Sequence, residues 1–474
     1  MRGQGGLGER ADTPFAPRYR AVTSALVCLV SIVAFEGLAI STIMPVVAAE
    51  LDAAGAYALA FSAMFTAQLL GIVLARPWIE GAGAWPVMRA GQLLFALGSL
   101  VAGVAPQLGV FLVGRVLAGL GAGLVVVALY VLIGACYPPS LRPKLFGWIS
   151  AAWVLPSIVG PLLAAAVSQA WSWRGVFLLV VPAVAATLVV LARALPGAGG
   201  VETRASADPV APDRDATEAP RRVDARGEAL VGLVVTVGAA LFQWAGTQLA
   251  PPRVGPTIAA VGGIILLGVG LPRLLPAGAL RAARGLPAVI LARGLYTGAF
   301  SAAVAFVPLW LVSQRGMSTG GAGLVLAVAS LGWATGAWVQ GRERLCGAGP
   351  ALVVAGAGCA AAGIAGYALL AVAGASQLWA IPAGALLGLG MGLGTTAQGV
   401  LILQLAPPAG HPGASSALML ADTLGSVLGV SITGSVYASV ADRADVAFPL
   451  VWGCAAVSAL AAVAVGRRIA PRHA

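Results

Sequence analysis

Four ionisable residues stand inside long apolar stretches of this chain. Glu36 lies in Phe35-Glu36-Gly37-Leu38, and Asp422 in Leu420-Ala421-Asp422-Thr423. Arg115 and Arg293 are the two basic counterparts. A charge at bilayer depth costs about 2.5–3.5 kcal/mol on insertion scales, so each needs a reason to be there. A poorly hydrated carboxyl can load and release protons near neutral pH, or it can hold a cationic substrate. The structural alternative for Glu36 is an ion pair with Arg115 that only locks helices together. The same two readings stand open for Asp422. Arg293, near the start of its apolar stretch, reads as a side chain snorkelling to the interface.

The elements that must position these residues are membrane helices. The chain has 474 residues, 59% of them hydrophobic and only 9% charged, with a mean hydropathy of +0.93. An average soluble domain carries about 25% charged residues. That excludes a soluble enzyme, a nucleic-acid-binding domain and a disordered chain. Apolar runs of about 20 residues are helical spans, since barrel strands are far shorter. Six runs occupy about 22–47, 57–76, 86–105, 108–136, 145–168 and 175–195. A polar stretch, 196–228, follows and reads as a cytoplasmic linker with five Arg and seven acids. Eight further runs cover about 229–249, 254–274, 288–312, 320–340, 349–373, 376–403, 413–440 and 447–466. The expectation is an all-α polytopic membrane protein with 14 spans. Residues 1–21 form a tail, 22–195 a six-helix bundle, 229–274 two additional helices, 275–466 a second six-helix bundle, and 467–474 a second tail.

The net charge of +11 is topological. With both termini cytoplasmic, 22 basic residues fall on the inner side and 4 on the outer side, the bias expected of cytoplasmic loops. Of the 28 basic residues 27 are Arg, and Asn is absent, which points to a GC-rich bacterial genome and the inner membrane, and excludes N-glycosylation. The first span is too long for a cleaved signal peptide and carries Glu36.

Glycines repeat at close-packing intervals: Gly119 and Gly123; Gly384, Gly388 and Gly392; Gly425 and Gly429. Small residues at this spacing let helix backbones approach. The Gly388–Gly392 run is no phosphate loop, because it lies within an apolar span and follows no strand. Two His and five scattered Cys do not make a metal site. One Gly-x-Ser-x-Gly pattern, Gly316 to Gly320, falls in a short loop and reads as a helix start capped by Ser318 or Thr319. No enzyme chemistry is expected.

These features together resemble the major facilitator superfamily, and within it the fourteen-helix drug:proton antiporters. Glu36 and Pro45, nine positions apart, are similar to the first-helix motif, with Glu in place of the usual Asp. Arg115, Gly119 and Gly121 are similar to the fourth-helix motif. Gly147, Pro156, Gly160, Pro161 and the Ala164-Ala165 pair resemble the fifth-helix antiporter motif, with Pro156 and the Ala pair replacing glycines. Trp173, Arg174, Phe177 and Pro182 resemble the start of the sixth helix. The loop motif between the second and third helices keeps Glu80 and Gly83, but Ala84 and Trp85 replace its basic pair. The resemblance implies alternating access about a central site, export of lipophilic drugs or related small molecules, cationic ones among the candidates, driven by the proton gradient, and no cofactor. It implies that Glu36 and Arg115 couple protons to substrate; Asp422 matches no motif of the family and is a candidate for the same role as the second carboxylate inside an apolar span. The partners implied are the bilayer, protons and a small lipophilic substrate, with one chain sufficient for function. A dedicated exporter of a lipid, peptide or siderophore is the alternative on the same fold.

Overall fold

A computed structural model describes residues 13–53, 56–138, 141–195, 225–248, 254–340, 342, 348–373, 375–407 and 411–470. The expected linker therefore lies, up to residue 224, outside the described residues, as do residues 1–12 and 471–474. Among the described residues, fourteen helices are long and apolar enough to cross a membrane. The first group is α1 (Arg20–Glu50), α2 (Tyr57–Ala82), α3 (Ala84–Gly103), α4 (Leu108–Cys136), α5 (Arg142–Ala170) and α6 (Trp173–Ala194). Then come α7 (Ala225–Gly246) and α8 (Val254–Leu274). The last group is α9 (Leu286–Ser313), α10 (Thr319–Gln340), α11 (Gly349–Ala373), α12 (Ala380–Leu405), α13 (His411–Ser439) and α14 (Ala444–Gly466). The described helices differ from the expected spans mainly at their ends. α7 begins at Ala225, inside the expected linker, because a helix can extend past the bilayer at its end.

The two groups of six repeat one packing pattern. α4 packs on α3 and α2, and α12 packs on α11 and α10. α1 packs on α5 and α6, as α9 does on α13 and α14. The expected glycine ladders make these contacts. A Cβ on Gly119 or Gly123 would overlap the Met64 or Gln68 carbonyl oxygen of α2, and one on Gly121 would overlap α3 at Phe95. In the second group Gly388 and Gly392 meet the Ala329 and Trp333 carbonyl oxygens of α10. Gly425 and Gly429 of α13 meet Gly294 and Gly298 of α9. With lipid outside as apolar as the helices themselves, such close van der Waals contact is what drives association.

An even number of crossings returns the chain to its starting side, here named the terminal face. Tyr19, before α1, stacks on Tyr137, after α4, at that face. The halves meet at the far face. Tyr57 of α2 donates to the Ala305 carbonyl of α9 at 2.8 Å, and Gly323 of α10 sits against Pro161 of α5. One continuous apolar core contains residues of both halves, and its first-half members, such as Ile43, Tyr57, Phe111 and Trp173, lie toward the far face, where they join Phe306 and Trp310 of α9. Toward the terminal face the core divides: one cluster belongs to α1–α6 and a separate one to the second half. The seam is therefore sealed at the far face and parted at the terminal face. α7 lies along this seam against both α2 and α13, and Gln243 donates to Thr66 Oγ1 of α2 at 2.6 Å.

Gly388→Ala should lower the thermal unfolding midpoint of the purified protein, since overpacking costs typically 1–3 kcal/mol. Gly358→Ala, whose Cβ would meet nothing within 4 Å, should not lower it.

Candidate functional site

The first buried charge sits near the middle of α1. Arg115 Nη1 of α4 donates to Glu36 Oε1 at 2.8 Å, and Ser99 Oγ of α3 lies 2.9 Å from Oε2. Ser99 also lies 2.9 Å from the Phe95 carbonyl, so its single proton serves one acceptor at a time. Both charged side chains are sealed, at 0% and 1% exposure. The Phe177 ring of α6 flanks the guanidinium at 5.9 Å. Arg115 Nε and Nη2 have no hydrogen-bond partner among the described residues. Three helices of the first half thus converge on one carboxylate.

The second charge pair joins α9 and α13. Arg293 Nε donates to Asp422 Oδ1 at 2.5 Å. Thr297 Oγ1, one turn along α9, lies 2.8 Å from the same oxygen. Arg293 Nη1 reaches the Thr395 carbonyl of α12 at 3.2 Å. One turn further, Ser301 and Ser426 hydroxyls meet at 2.9 Å. Arg293 does not snorkel to the interface as its position suggests. It lies two turns inside α9, where a carboxylate within hydrogen-bond reach offsets a cost that the interface would otherwise relieve. This pair differs from the first in access: Arg293 is 17% exposed and Asp422 37%.

The remaining motif residues have other neighbours. Pro45 is buried in α1, on the far side of Glu36. Gly160 of α5 faces Phe35, and Pro161 meets α10 at the seam. Glu80 pairs with Arg76, one turn back on the exposed end of α2, at 3.1 Å. Gly83, with φ +86°, makes the tight α2–α3 turn in a conformation that favours glycine. Ser318 Oγ accepts from the Gly321 backbone N–H at 3.1 Å, so the Gly-x-Ser-x-Gly pattern is a helix start.

Glu36 and Asp422 are not brought together; each has its partners within its own half. Two features had no assignment from sequence. One is the Asp422–Arg293 pairing, which joins residues 129 positions apart. The other is a far-face clasp: Trp173 Nε1 donates to Glu50 Oε2 at 2.6 Å, and Arg174 pairs with Glu50 and donates to the Ala105 carbonyl. The Trp173-Arg174 dipeptide and an acid at the end of the first span were its only sequence signals.

Two six-helix halves, a seam parted at one face and a charge pair inside each half define a polytopic membrane transporter. A family model described as Major Facilitator Superfamily matches residues 26–430. The chain belongs to the Major Facilitator Superfamily. It is 27% identical over 168 residues to a multidrug efflux pump, SdrM, of Staphylococcus aureus, covering 35% of this chain and 38% of that protein. It is 27% identical over 355 residues to the efflux pump ustT of Ustilaginoidea virens, covering 73% of this chain and 64% of that one. These matches thus span less than two thirds of the relatives' lengths. Among solved structures, an auto-inhibited POT family peptide transporter superposes with TM-score 0.67 at 16% identity, covering 95% of this chain and 98% of that one. At that identity the likeness is one of fold.

Removing one partner of a buried pair leaves the other charge uncompensated, at a cost of about 3–5 kcal/mol. Arg115→Met should therefore lower the thermal unfolding midpoint markedly. Arg293→Met, which leaves a half-exposed carboxylate, should lower it less. Thermal denaturation of the two purified variants against wild type checks the order.

Proposed function

We propose that this transporter is a proton-driven exporter of lipophilic, cationic small molecules. The observation that supports this most is the unequal access of the two carboxylates: Asp422 is half-buried, Glu36 sealed. Most of the arginines, with Lys144, fall on the terminal side by the expected topology, which the charge bias assigns to the cytoplasm. In a seam parted on that side, Asp422 is the carboxylate that a cargo cation arriving from the cytoplasm can meet. The cation displaces Arg293 from Asp422 and takes its place as counter-ion. Rocking of the halves then closes the terminal face and opens the far face, where protonation of Asp422 ends the attraction and releases the cargo. The proton leaves to the cytoplasm when the seam parts again. Glu36, held by Arg115 and Ser99, exchanges its proton only in a state where α1, α3 and α4 have shifted. Proton coupling at Asp422 and Glu36, an inner-membrane location in a bacterium, and function as a single chain all belong to this proposal. The efflux pumps similar to this chain support export as the direction.

The test is efflux of a fluorescent lipophilic cation from cells lacking their own pumps. Wild type should extrude the dye, and a protonophore should abolish the extrusion. Asp422→Asn should reduce the initial rate at least tenfold with normal membrane insertion. Full protonophore-sensitive efflux by Asp422→Asn would overturn the assignment. No efflux by inserted wild type would favour a dedicated lipid, peptide or siderophore substrate.

A further inference from the structure

A 220 Å³ cavity opens where the end of α8 meets α9, α13 and α14. It lies on the flank of the α9–α13 contact that faces α14, while Arg293 reaches toward α12. Its walls are aliphatic: Leu271 of α8 and Leu275 just after it, Leu291 and Leu295 of α9, Leu428 and Ile432 of α13. The close α9–α13 approach at Gly294, Gly298, Gly425 and Gly429 leaves a trough with no side chain to fill it. From Ile290 to Ala302 the lining runs twelve residues along α9, about 18 Å at 1.5 Å per residue. That length suits an acyl chain.

The mouth is at the terminal face and is basic. Leu280, 48% exposed, lines it. It belongs to the short turn of Ala279–Arg281, whose buried Ala279 pins the turn. Arg281 and Arg284 are both exposed there. The Gly285 N–H donates to the Arg468 carbonyl at 3.3 Å, which brings exposed Arg467 and Arg468 beside them. Exposed Arg273 closes α8. No Asp or Glu occurs in residues 254–300 or 446–470, so no acidic side chain of these segments neutralises the rim.

We propose that this crevice binds an anionic membrane phospholipid, one acyl chain in the trough and the phosphate on the Arg281–Arg284–Arg468 rim. Basic pockets between membrane helices near the cytoplasmic surface suit such headgroups, because each nearby Arg adds attraction for the phosphate. The bound lipid ties the α7–α8 hairpin to the second half, because α8 supplies one wall and α9, α13 and α14 the others.

Native mass spectrometry of the purified full chain, with palmitoyl-oleoyl phosphatidylglycerol or phosphatidylcholine added at equal concentration, tests it. Wild type should retain the glycerol lipid about tenfold better than the choline lipid, which has the same chains. Arg281→Gln combined with Arg284→Gln should bring the two to parity. Cys454→Phe, which fills the trough, should weaken both. Leu280→Glu, an exposed change that does not burden folding, should repel the glycerol lipid selectively. Equal retention of both lipids by wild type would overturn the proposal. So would an undiminished headgroup preference in the Arg and Leu280 variants, or retention insensitive to Cys454→Phe.

Discussion

A charge placed between helices in hydrocarbon has to find a counter-charge, and that requirement organises the interior of this protein. Glu36 would be untenable alone in α1. Arg115 and Ser99 make it tenable, and in doing so they fix the relative heights of α1, α3 and α4. Asp422 imposes the same condition on α13 and α9 through Arg293 and Thr297. Glycine faces allow the helices near enough for these bonds: Gly119 and Gly121 bring α4 against α2 and α3, and Gly425 brings α13 against α9. Packing and charge pairing are therefore one device, since a wider helix spacing would leave the carboxylates unmet.

The two halves share a scaffold but wire their charges differently. In the first half the acid is on the first helix and the arginine on the fourth. In the second the arginine is on the first helix and the acid on the fifth. The first pair is closed in by three helices and the Phe177 ring. The second keeps a part-exposed carboxylate. Under the proposed exchange of two cations at Asp422 this contrast has a use, because the exchanging group must be reachable and the partner half must stay rigid while it exchanges. The far-face clasp of Glu50, Trp173 and Arg174 holds the first half together beside the closed seam.

Much of this was legible in the residues. Helix number, grouping and glycine contacts follow from hydropathy and four-residue spacing, which are local properties. The Glu36–Arg115 partnership was one of two readings open to those residues. Arg293 misled because its place near a helix start is compatible with snorkelling. Its true partner depends on the rotational register between α9 and α13, and no local pattern encodes that. Glu50 was equally opaque: at the end of a span it reads as an interfacial acid, and only the fold brings α6 to it. The Gly-x-Ser-x-Gly pattern, by contrast, is legible as a helix cap because it falls in a short loop between two apolar spans and follows no strand.

The claim at the centre of this account is that Asp422, and not Glu36, is the carboxylate open to exchange when the terminal face is parted. Labelling with a hydrophobic carbodiimide in lipid nanodiscs, followed by peptide mass spectrometry, tests it most directly. The account predicts modification of Asp422, protection of Asp422 by a lipophilic cation, and little modification of Glu36. Modification of Glu36 ahead of Asp422, or labelling of Asp422 that the cation leaves unchanged, would contradict it.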